Sequence, residues 1–226
     1  MRAAAARTLS ASVGRISISD DRRQYWEQVY ATRQAEKLGW YKPRLDTSLA
    51  WIMALNPDPR AAIIDVGGGA STLVDDLVDE GFESITVLDV ADTALQVSRR
   101  RLGHQADLVM WLSGDISEYR LPASQFDIWH DRAVLHFLTD PADRDAYVAN
   151  LRRALKPGGH AIIGLFAPEA PPKCSGLPVQ RYDHEALADV LGDAFELLEH
   201  HKESHTTPGG VEQMYLYCRF RKSGTP

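Results

Sequence analysis

The chain has 226 residues, the usual length of one domain or of one domain with a small cap. Hydrophobic residues make up 44% of it, enough for a globular core, and the formal net charge of −6 argues against nucleic acid as a partner. No apolar run approaches the roughly 18 residues of a membrane span, so no membrane partner is expected. Cys174 and Cys218 are the only cysteines and form no C-x-x-C pair. We therefore expect no disulfide framework, no metal and a reducing, cytoplasmic location.

Residues 1–19 differ in composition from the rest of the chain. They are rich in Ala, Ser and Arg, with no acid before Asp20, which is typical of a transit peptide and would indicate a mitochondrial location. Because Ala and Arg are abundant throughout the chain, we favour a flexible leader without a targeting role. A single domain is then expected over residues 20–226.

Aromatic and apolar residues recur at helical intervals after this leader. They predict a helix over residues 20–37, ended by Gly39, and a second helix over residues 44–55. Three of the five tryptophans lie in this front segment. Two interpretations stay open: the aromatic side chains cover one edge of a sheet, or they form a lid over a bound ligand.

The run Ile63–Val66 predicts a buried parallel strand, and three glycines and a helix come directly after it. Such a turn brings backbone N–H groups and a helix N-terminus against a ligand. A dinucleotide fingerprint would need a third glycine where Thr72 stands, and Asp65 would repel a diphosphate. An acid followed by glycines favours a ligand with a cationic end, such as S-adenosylmethionine (SAM). A plain tight turn without a ligand is the alternative.

Strands and helices alternate beyond this loop, which predicts an open parallel sheet that binds its ligand at the carboxyl ends of the strands. The strands are expected at residues 84–89, 108–112, 126–130 and 160–166, with helices at 92–102 and 141–155. A sharp turn is expected at residues 156–159.

The alternation ends after residue 166. A Pro-rich loop over residues 167–181 leads to a helix over residues 183–191. Two strands then flank the turn Thr207-Pro208-Gly209-Gly210, at residues 195–205 and 213–221, and are predicted to pair as an antiparallel hairpin.

Acidic residues recur where strands are predicted to end, at Asp65, Asp89, Asp115 and Asp131. In an open α/β sheet these positions line one crevice. Asp89 lies twenty residues after Gly69, where an acid accepts hydrogen bonds from both hydroxyls of a ribose. A single Asp at a strand end is often only a turn former, but four in this order favour a ligand site.

Five motifs together resemble those of the class I SAM-dependent methyltransferases over residues 25–221. They are Asp65-Val66-Gly67-Gly68-Gly69, Leu88-Asp89-Val90, Gly114-Asp115-Ile116, Phe126-Asp127-Ile128-Trp129 and Leu155-Lys156-Pro157-Gly158-Gly159. The resemblance implies an α/β, Rossmann-like three-layer sandwich with a seven-stranded sheet in the order 3-2-1-4-5-7-6, strand 7 antiparallel. It also implies a helical lid over residues 20–60, a SAM-binding core over 61–166 and a substrate-side region over 167–226.

The run Tyr25-Trp26-x-x-x-Tyr30, with Trp40-Tyr41, further resembles methyltransferases that modify lysines of elongation factor or citrate synthase. The departure from that group comes after strand four, where Arg132 and His136 stand instead of a Lys and an acid. The two resemblances imply SAM as the cofactor. The cofactor-binding residues that they imply are Trp26, Tyr30, Trp40, Asp65, Gly67, Gly68, Gly69, Asp89, Val90, Asp115, Ile116, Asp131 and Arg132.

The acceptor of the methyl group is expected to lie past strand four and near the C-terminal loops. Candidate catalytic residues are His130, Asp131 and His136. Candidate substrate-binding residues are Tyr41, Arg181, His205 and Gln213. For each histidine, an imidazole with a purely structural role is at least as good an interpretation.

Little of the chain is left over for a substrate domain, which favours a small-molecule acceptor. A protein lysine is the alternative acceptor, a SAM-binding protein without catalysis is a third interpretation, and a nicotinamide oxidoreductase is the weakest. The protein is expected to be a monomer or a homodimer.

Overall fold

A seven-stranded sheet is the largest element of the structure, a computed structural model that describes residues 18–224. Its strands are β1 (Ile63–Val66), β2 (Ile85–Asp89), β3 (Val109–Ser113), β4 (Phe126–Arg132), β5 (Leu155–Phe166), β8 (Phe195–Thr206) and β9 (Glu212–Lys222). Their order is β3-β2-β1-β4-β5-β9-β8, and β9 runs antiparallel to β5. Since β8 and β9 are the sixth and seventh strands of the sheet, the predicted order 3-2-1-4-5-7-6 is confirmed. The two intervening numbers belong to a separate two-stranded hairpin, β6 (Lys173–Cys174) and β7 (Leu177–Pro178).

Helices cover both faces of this sheet. They are α1 (Ile18–Thr32), α2 (Asp46–Ala54), α3 (Leu73–Asp79), α4 (Asp92–Leu102), α5 (Pro141–Ala154) and α6 (His184–Leu191), with short 3₁₀ turns at Ala35–Lys37, Gly103–Leu108 and Leu135–Phe137. On one face, apolar residues of α2, α3 and α4 pack against β1 and β2. On the other face, α5 and α6 pack against β4, β5 and β9. Within residues 18–224, no helix combines the length and the apolar character needed to cross a membrane.

The register of the central strands brings the predicted acids to one edge. Asp65 of β1 lies opposite His130 of β4, and the next residue, Val66, lies opposite Asp131. Asp89 is the last residue of β2, one step beyond the partner of Val66. Because parallel strands share a direction, all these side chains stand at the carboxyl edge of the sheet, as the strand ends predicted.

Three elements differ from the prediction. The first helix ends at Thr32, and residues 35–37 form a separate 3₁₀ turn instead of its last turn. The turn expected at residues 156–159 is an interruption inside one long strand, because β4 pairs with β5 on both sides of it. The hairpin of β6 and β7 was expected to be loop, since two-residue strands leave no periodicity to detect. Of the predicted leader, residues 1–17 lie outside the described residues, and α1 begins at Ile18.

Candidate active site

A cleft with about 700 Å³ of empty space lies at the carboxyl ends of β1, β2 and β4, beneath α1. A smaller cleft beside it shares the residues Tyr30, Trp40, Gly67 and Arg132 with it. The predicted cofactor residues in the walls of these two clefts are Trp26, Tyr30, Trp40, Asp65, Gly67, Gly68, Asp89, Val90, Asp115, Ile116 and Arg132. The fold thus brings together most of the residues that the motifs indicated.

One carboxylate oxygen of Asp65 has a hydrogen-bond partner, and the other has none in the described residues. Its Oδ1 lies 2.7 Å from Nδ1 of His130, whose Nε2 lies 2.9 Å from the hydroxyl of Ser48 on α2. All three side chains are buried. Asp65 Oδ2 is also buried, and within the described residues it has no hydrogen-bond partner. A buried carboxylate oxygen without a partner is costly, so this atom is suited to a cationic ligand group such as an ammonium.

The glycine loop leaves open the space beside that oxygen. A Cβ built on Gly68 would lie 2.3 Å from Asp65 Oδ2 and 2.9 Å from Val87, and a Cβ on Gly67 would lie 1.9 Å from the Val134 side chain. Gly67 also has φ +68°, a conformation that other residues rarely adopt. An unpaired carboxylate oxygen inside a cradle that only glycine permits fits the amino-acid end of SAM.

Asp89 is buried at the end of β2. Its carboxylate accepts hydrogen bonds from the backbone N–H of Ala91, at 2.8 Å, and of Gly69. Burial is the main reason that the pKa of Asp89 is raised to about 7, and the charge of Asp65 adds to it. Gly69 itself lines neither cleft; its role is to let Asp89 and Ala94 approach the loop, since a Cβ there would lie 2.5 Å from Asp89 Oδ2.

Asp115 joins the sheet edge to the covering helix α1. Its Oδ1 accepts hydrogen bonds from the N–H and hydroxyl of Ser117, at 2.9 and 2.8 Å. Its Oδ2 lies 2.5 Å from Nη1 of Arg22, which also pairs with Asp143 on α5. An adenine amino group at Asp115 would therefore have to share this carboxylate with Arg22.

The N-terminal aromatic residues form part of the cleft wall, as the lid interpretation required. The Trp26 ring meets Trp40 and Phe137 edge-on, with centroid distances of 5.4 and 5.1 Å. Tyr30 meets Trp40 in the same way at 6.2 Å. Aromatic faces attract cations, so this wall suits a ligand that carries a sulfonium.

Asp131 was predicted to be both catalytic and cofactor-binding, and its surroundings argue against both roles. The side chain is fully buried, and neither cleft includes it. Its Oδ1 accepts from the N–H of Val134 at 2.9 Å, and its Oδ2 accepts from the N–H of Leu135 at 3.1 Å and from the hydroxyl of Tyr147 at 2.7 Å. Each oxygen therefore accepts a backbone N–H of the turn that comes after β4 and stabilises this turn.

His136 was predicted to be a catalytic base, and its position argues against that role too. The imidazole is fully buried between the rings of Phe137 and Phe166, outside the walls of both clefts. Burial, with a smaller contribution from the charge of Arg132, lowers the pKa of His136 to about 3. Such an imidazole stays neutral and is a weak proton acceptor. His130, the other histidine candidate, is held between Asp65 and Ser48 and lines the smaller cleft.

The predicted substrate residues are spread over three places. Tyr41 lines the smaller cleft. Arg181 is exposed and donates to the carbonyls of Pro168 and Ala170. His205 and Gln213 are buried cross-strand neighbours on β8 and β9, and His205 Nε2 lies 2.8 Å from the Gly39 carbonyl. The fold therefore brings only Tyr41 of this set to a cleft wall.

Several wall residues were not predicted from the sequence. They are Arg22, Lys42, Val134, Phe137, Leu138 and Cys174. A signal existed for Phe137 and Leu138, because the apolar residues after β4 continue directly from a strand that ends in the crevice. No local signal marked Arg22 or Cys174, which reach the cleft from α1 and from the β6–β7 hairpin.

Comparisons with known proteins agree with this geometry. Residues 64–163 match the family model of the methyltransferase domain. The eEF1A lysine and N-terminal methyltransferase of Bos taurus is 26% identical over 61% of this chain and 20% of its own length. Nodulation protein S of Rhizobium tropici is 31% identical over 50% of this chain and 46% of its own length. The chain thus spans between a fifth and a half of these relatives.

The same fold is found in a solved structure from work on the conversion of a disulfide bond into a thioacetal group during echinomycin biosynthesis. It superposes with a TM-score of 0.72 over 90% of this chain and 93% of its own, at 17% identity. The chain has the class I methyltransferase fold, and its residues 64–163 match a methyltransferase domain. Within this methyltransferase domain, the cradle at Asp65 and Gly68, the acid Asp89 and the aromatic wall are the parts that fit SAM.

We predict that cofactor binding to the methyltransferase domain weakens as the pH falls below about 7. Ribose hydroxyls donate to a carboxylate, so binding favours the ionised form of Asp89, and below its raised pKa the protein must first lose a proton. The dissociation constant of S-adenosylhomocysteine, measured by calorimetry, should rise by up to about tenfold per pH unit below that pKa. Asp89→Asn should bind more weakly and without this pH dependence; an unchanged pH profile in that variant would contradict the assignment.

Gly68→Ala is expected to weaken S-adenosylhomocysteine binding by at least about tenfold, because its Cβ would fill the cradle beside Asp65 Oδ2. Gly209→Ala is the matched control, since its nearest neighbour is 3.8 Å away. Calorimetry on both variants provides the comparison. Equal affinities would show that the amino-acid end of the cofactor lies elsewhere.

His130→Leu is expected to weaken cofactor binding, because it removes the donor that orients Asp65. The loss should be on the order of tenfold, the scale of a hydrogen bond to a charged group. His130→Asn keeps an N–H near the position of Nδ1 and should recover part of the affinity. If the two variants bind S-adenosylhomocysteine equally well, His130 has no positioning role.

Proposed function

We propose that this protein transfers the methyl group of SAM to a small-molecule acceptor. The observation that carries the proposal is the closure of the cleft. Arg22 ties α1 to the loop after β3 and to α5, and the Tyr25 hydroxyl ties it to the carbonyl of Ser175 in the β6–β7 hairpin. Glu27 accepts the N–H of Asp92 at the start of α4. Space covered on three sides in this way suits a small acceptor better than the surface of a folded protein.

The residues that would hold the cofactor are those of the cleft walls. Asp65 would accept the ammonium of its amino-acid end, and Asp89 the ribose hydroxyls. Asp115, with the backbone N–H of Ile116, would face the adenine. When bound, SAM supplies an electrophilic methyl group on a sulfonium; the acceptor lone pair forms the new bond while the electron pair of the broken C–S bond stays on sulfur.

The walls of the two clefts offer little general-base chemistry. His130 is engaged by Asp65 and Ser48, and the pKa of the Cys174 thiol is raised to about 11 by burial. A base is needed only when the acceptor must lose a proton in the reaction. We therefore propose direct displacement by an acceptor that presents its lone pair unaided, with orientation and the exclusion of water as the main contributions of the protein.

A protein-lysine acceptor is the second candidate. It is favoured by the similarity to the bovine methyltransferase that acts on eEF1A lysine, although this chain spans only 20% of that protein. An extended lysine side chain could enter the cleft while its own protein stays outside. A SAM-binding protein without catalysis is the third and weaker candidate.

Labelled methyl transfer would separate these candidates. The purified protein is incubated with methyl-labelled SAM and a cell extract of the source organism, which is then split into protein and small-molecule fractions. We expect the label in the small-molecule fraction, together with S-adenosylhomocysteine. The Gly68→Ala variant serves as the control that removes cofactor-dependent label.

Label confined to protein bands would overturn the small-molecule proposal in favour of a lysine acceptor. Calorimetric binding of SAM without formation of S-adenosylhomocysteine in any fraction would indicate the third candidate.

A further inference from the structure

Arg132 is a cation with unused binding capacity beside the cofactor site. Its Nε donates to the hydroxyl of Tyr217 at 3.0 Å, and its Nη1 donates to the carbonyl of Trp40 at 2.7 Å. Its Nη2 is buried and has no hydrogen-bond partner in the described part of the chain. The nearby acid Glu203 acts on Arg132 only through its field, because its carboxylate is bound by Lys42 and Thr47. Both partners of Arg132 are thus neutral.

Two further donors lack hydrogen-bond partners in the described residues: one lies against Arg132, and the other lies behind Phe166. The guanidinium carbon of Arg132 lies 4.4 Å from the ring centroid of Tyr215, whose hydroxyl is buried and unpaired in the described residues. The ring of Phe166 meets the rings of both Tyr215 and His136 edge-on, with centroid distances of 5.1 and 4.8 Å. Because the N–H of Phe166 donates to Nδ1 of His136, the neutral imidazole carries its proton on Nε2, which is also buried and, among residues 18–224, unpaired.

The unused groups of this cluster are therefore all able to donate: a guanidinium N–H, a phenol O–H and an imidazole N–H. Buried donors without partners are costly, and a cation with hydrogen-bond donors around it matches a carboxylate. The cluster meets the cleft at Arg132, which lines both clefts, and at Cys174, which lines the main cleft and packs in one buried apolar group with Tyr215 and Phe166. A group bound here would lie at the end of the main cleft away from Asp115.

We propose that Arg132, with the Tyr215 hydroxyl beside it, binds a carboxylate of the methyl acceptor. This inference rests on the proposed function, since it describes the acceptor of the same site. The carboxylate serves as an anchor, and a different atom of the acceptor takes the methyl group. The product therefore keeps a negative charge. The carboxylate of SAM itself is the competing source of the same chemistry, and the experiment has to tell the two apart.

The test uses the labelled small-molecule reaction, followed by anion exchange of the labelled product. We expect the product to be retained on the exchanger. Arg132→Gln should lower the rate of product formation by about 10- to 100-fold, the scale of a charge-assisted hydrogen bond, and should change the dissociation constant of S-adenosylhomocysteine by less than about threefold. The rate of product formation by Arg132→Lys should lie between those of Arg132→Gln and the unaltered protein. Tyr215→Phe should lower this rate less than Arg132→Gln does. Arg100→Gln, an exposed arginine on α4, is the matched control.

Three results would overturn the inference. The labelled product could pass through the exchanger unretained, Arg132→Gln could react as the unaltered protein does, or it could lose affinity for S-adenosylhomocysteine as strongly as it loses rate. The last result would assign Arg132 to the carboxylate of the cofactor. If Arg132→Gln does not fold, Tyr215→Phe and Arg132→Lys give the same comparison of rate and affinity. Failure of the proposed function looks different, because the unaltered protein would then bind S-adenosylhomocysteine but label no small molecule.

Discussion

The half-bound carboxylate of Asp65 is the constraint on which the cofactor side depends. One oxygen is held through His130 to Ser48 on α2, while the other is buried without a partner among the described residues. Removing a charge from water is costly unless something compensates it: His130 compensates one oxygen of Asp65, and a cationic ligand group would compensate the other. The same charge adds to the raised pKa of Asp89. Two acids are thus kept close together at the carboxyl edge of the sheet, where a cationic ligand group would be stabilised.

Positive charge prevails on the side of the cleft where Arg132 lies. The charge of Arg132 contributes to the lowered pKa of both His136 and His205, behind burial as the main cause. It also acts against the rise in the pKa of the Cys174 thiol. The histidines whose pKa Arg132 lowers are thus kept neutral, and the nearby carboxylate of Glu203 is bound by Lys42 and Thr47, so the charge of Arg132 would favour an anion at this end of the cleft. One cleft with an acidic end and a basic end can orient two ligands of opposite character toward each other.

The sheet order was implied by the resemblance of the sequence motifs to a known family, whereas the acids of the cofactor side could be predicted because they depend on local patterns. A buried strand followed by an acid and glycines places Asp65 without knowledge of distant contacts. The roles of His136 and Asp131 could not be predicted in this way. Phe166 and Tyr147, which engage them, lie 30 and 16 residues away along the chain, on β5 and α5. Arg132 was predicted to bind the cofactor, and its contacts with Tyr217 and Tyr215 on β9 could not be predicted from the sequence because they join distant parts of the chain.

The carboxylate of Asp131 holds the turn that lies between the glycine loop and Arg132. The turn after β4 contains Ala133 with φ +70°, a conformation that a residue with a Cβ rarely adopts. The carboxylate of Asp131 accepts the N–H groups of the next two residues, Val134 and Leu135, and the N–H of Ala133 itself donates to the Gly164 carbonyl. These bonds compensate the strain and press Val134 against the glycine loop on one side. On the other side they leave Arg132 directed at β9. The buried carboxylate of Asp131 thereby fixes the spacing between the glycine loop and Arg132.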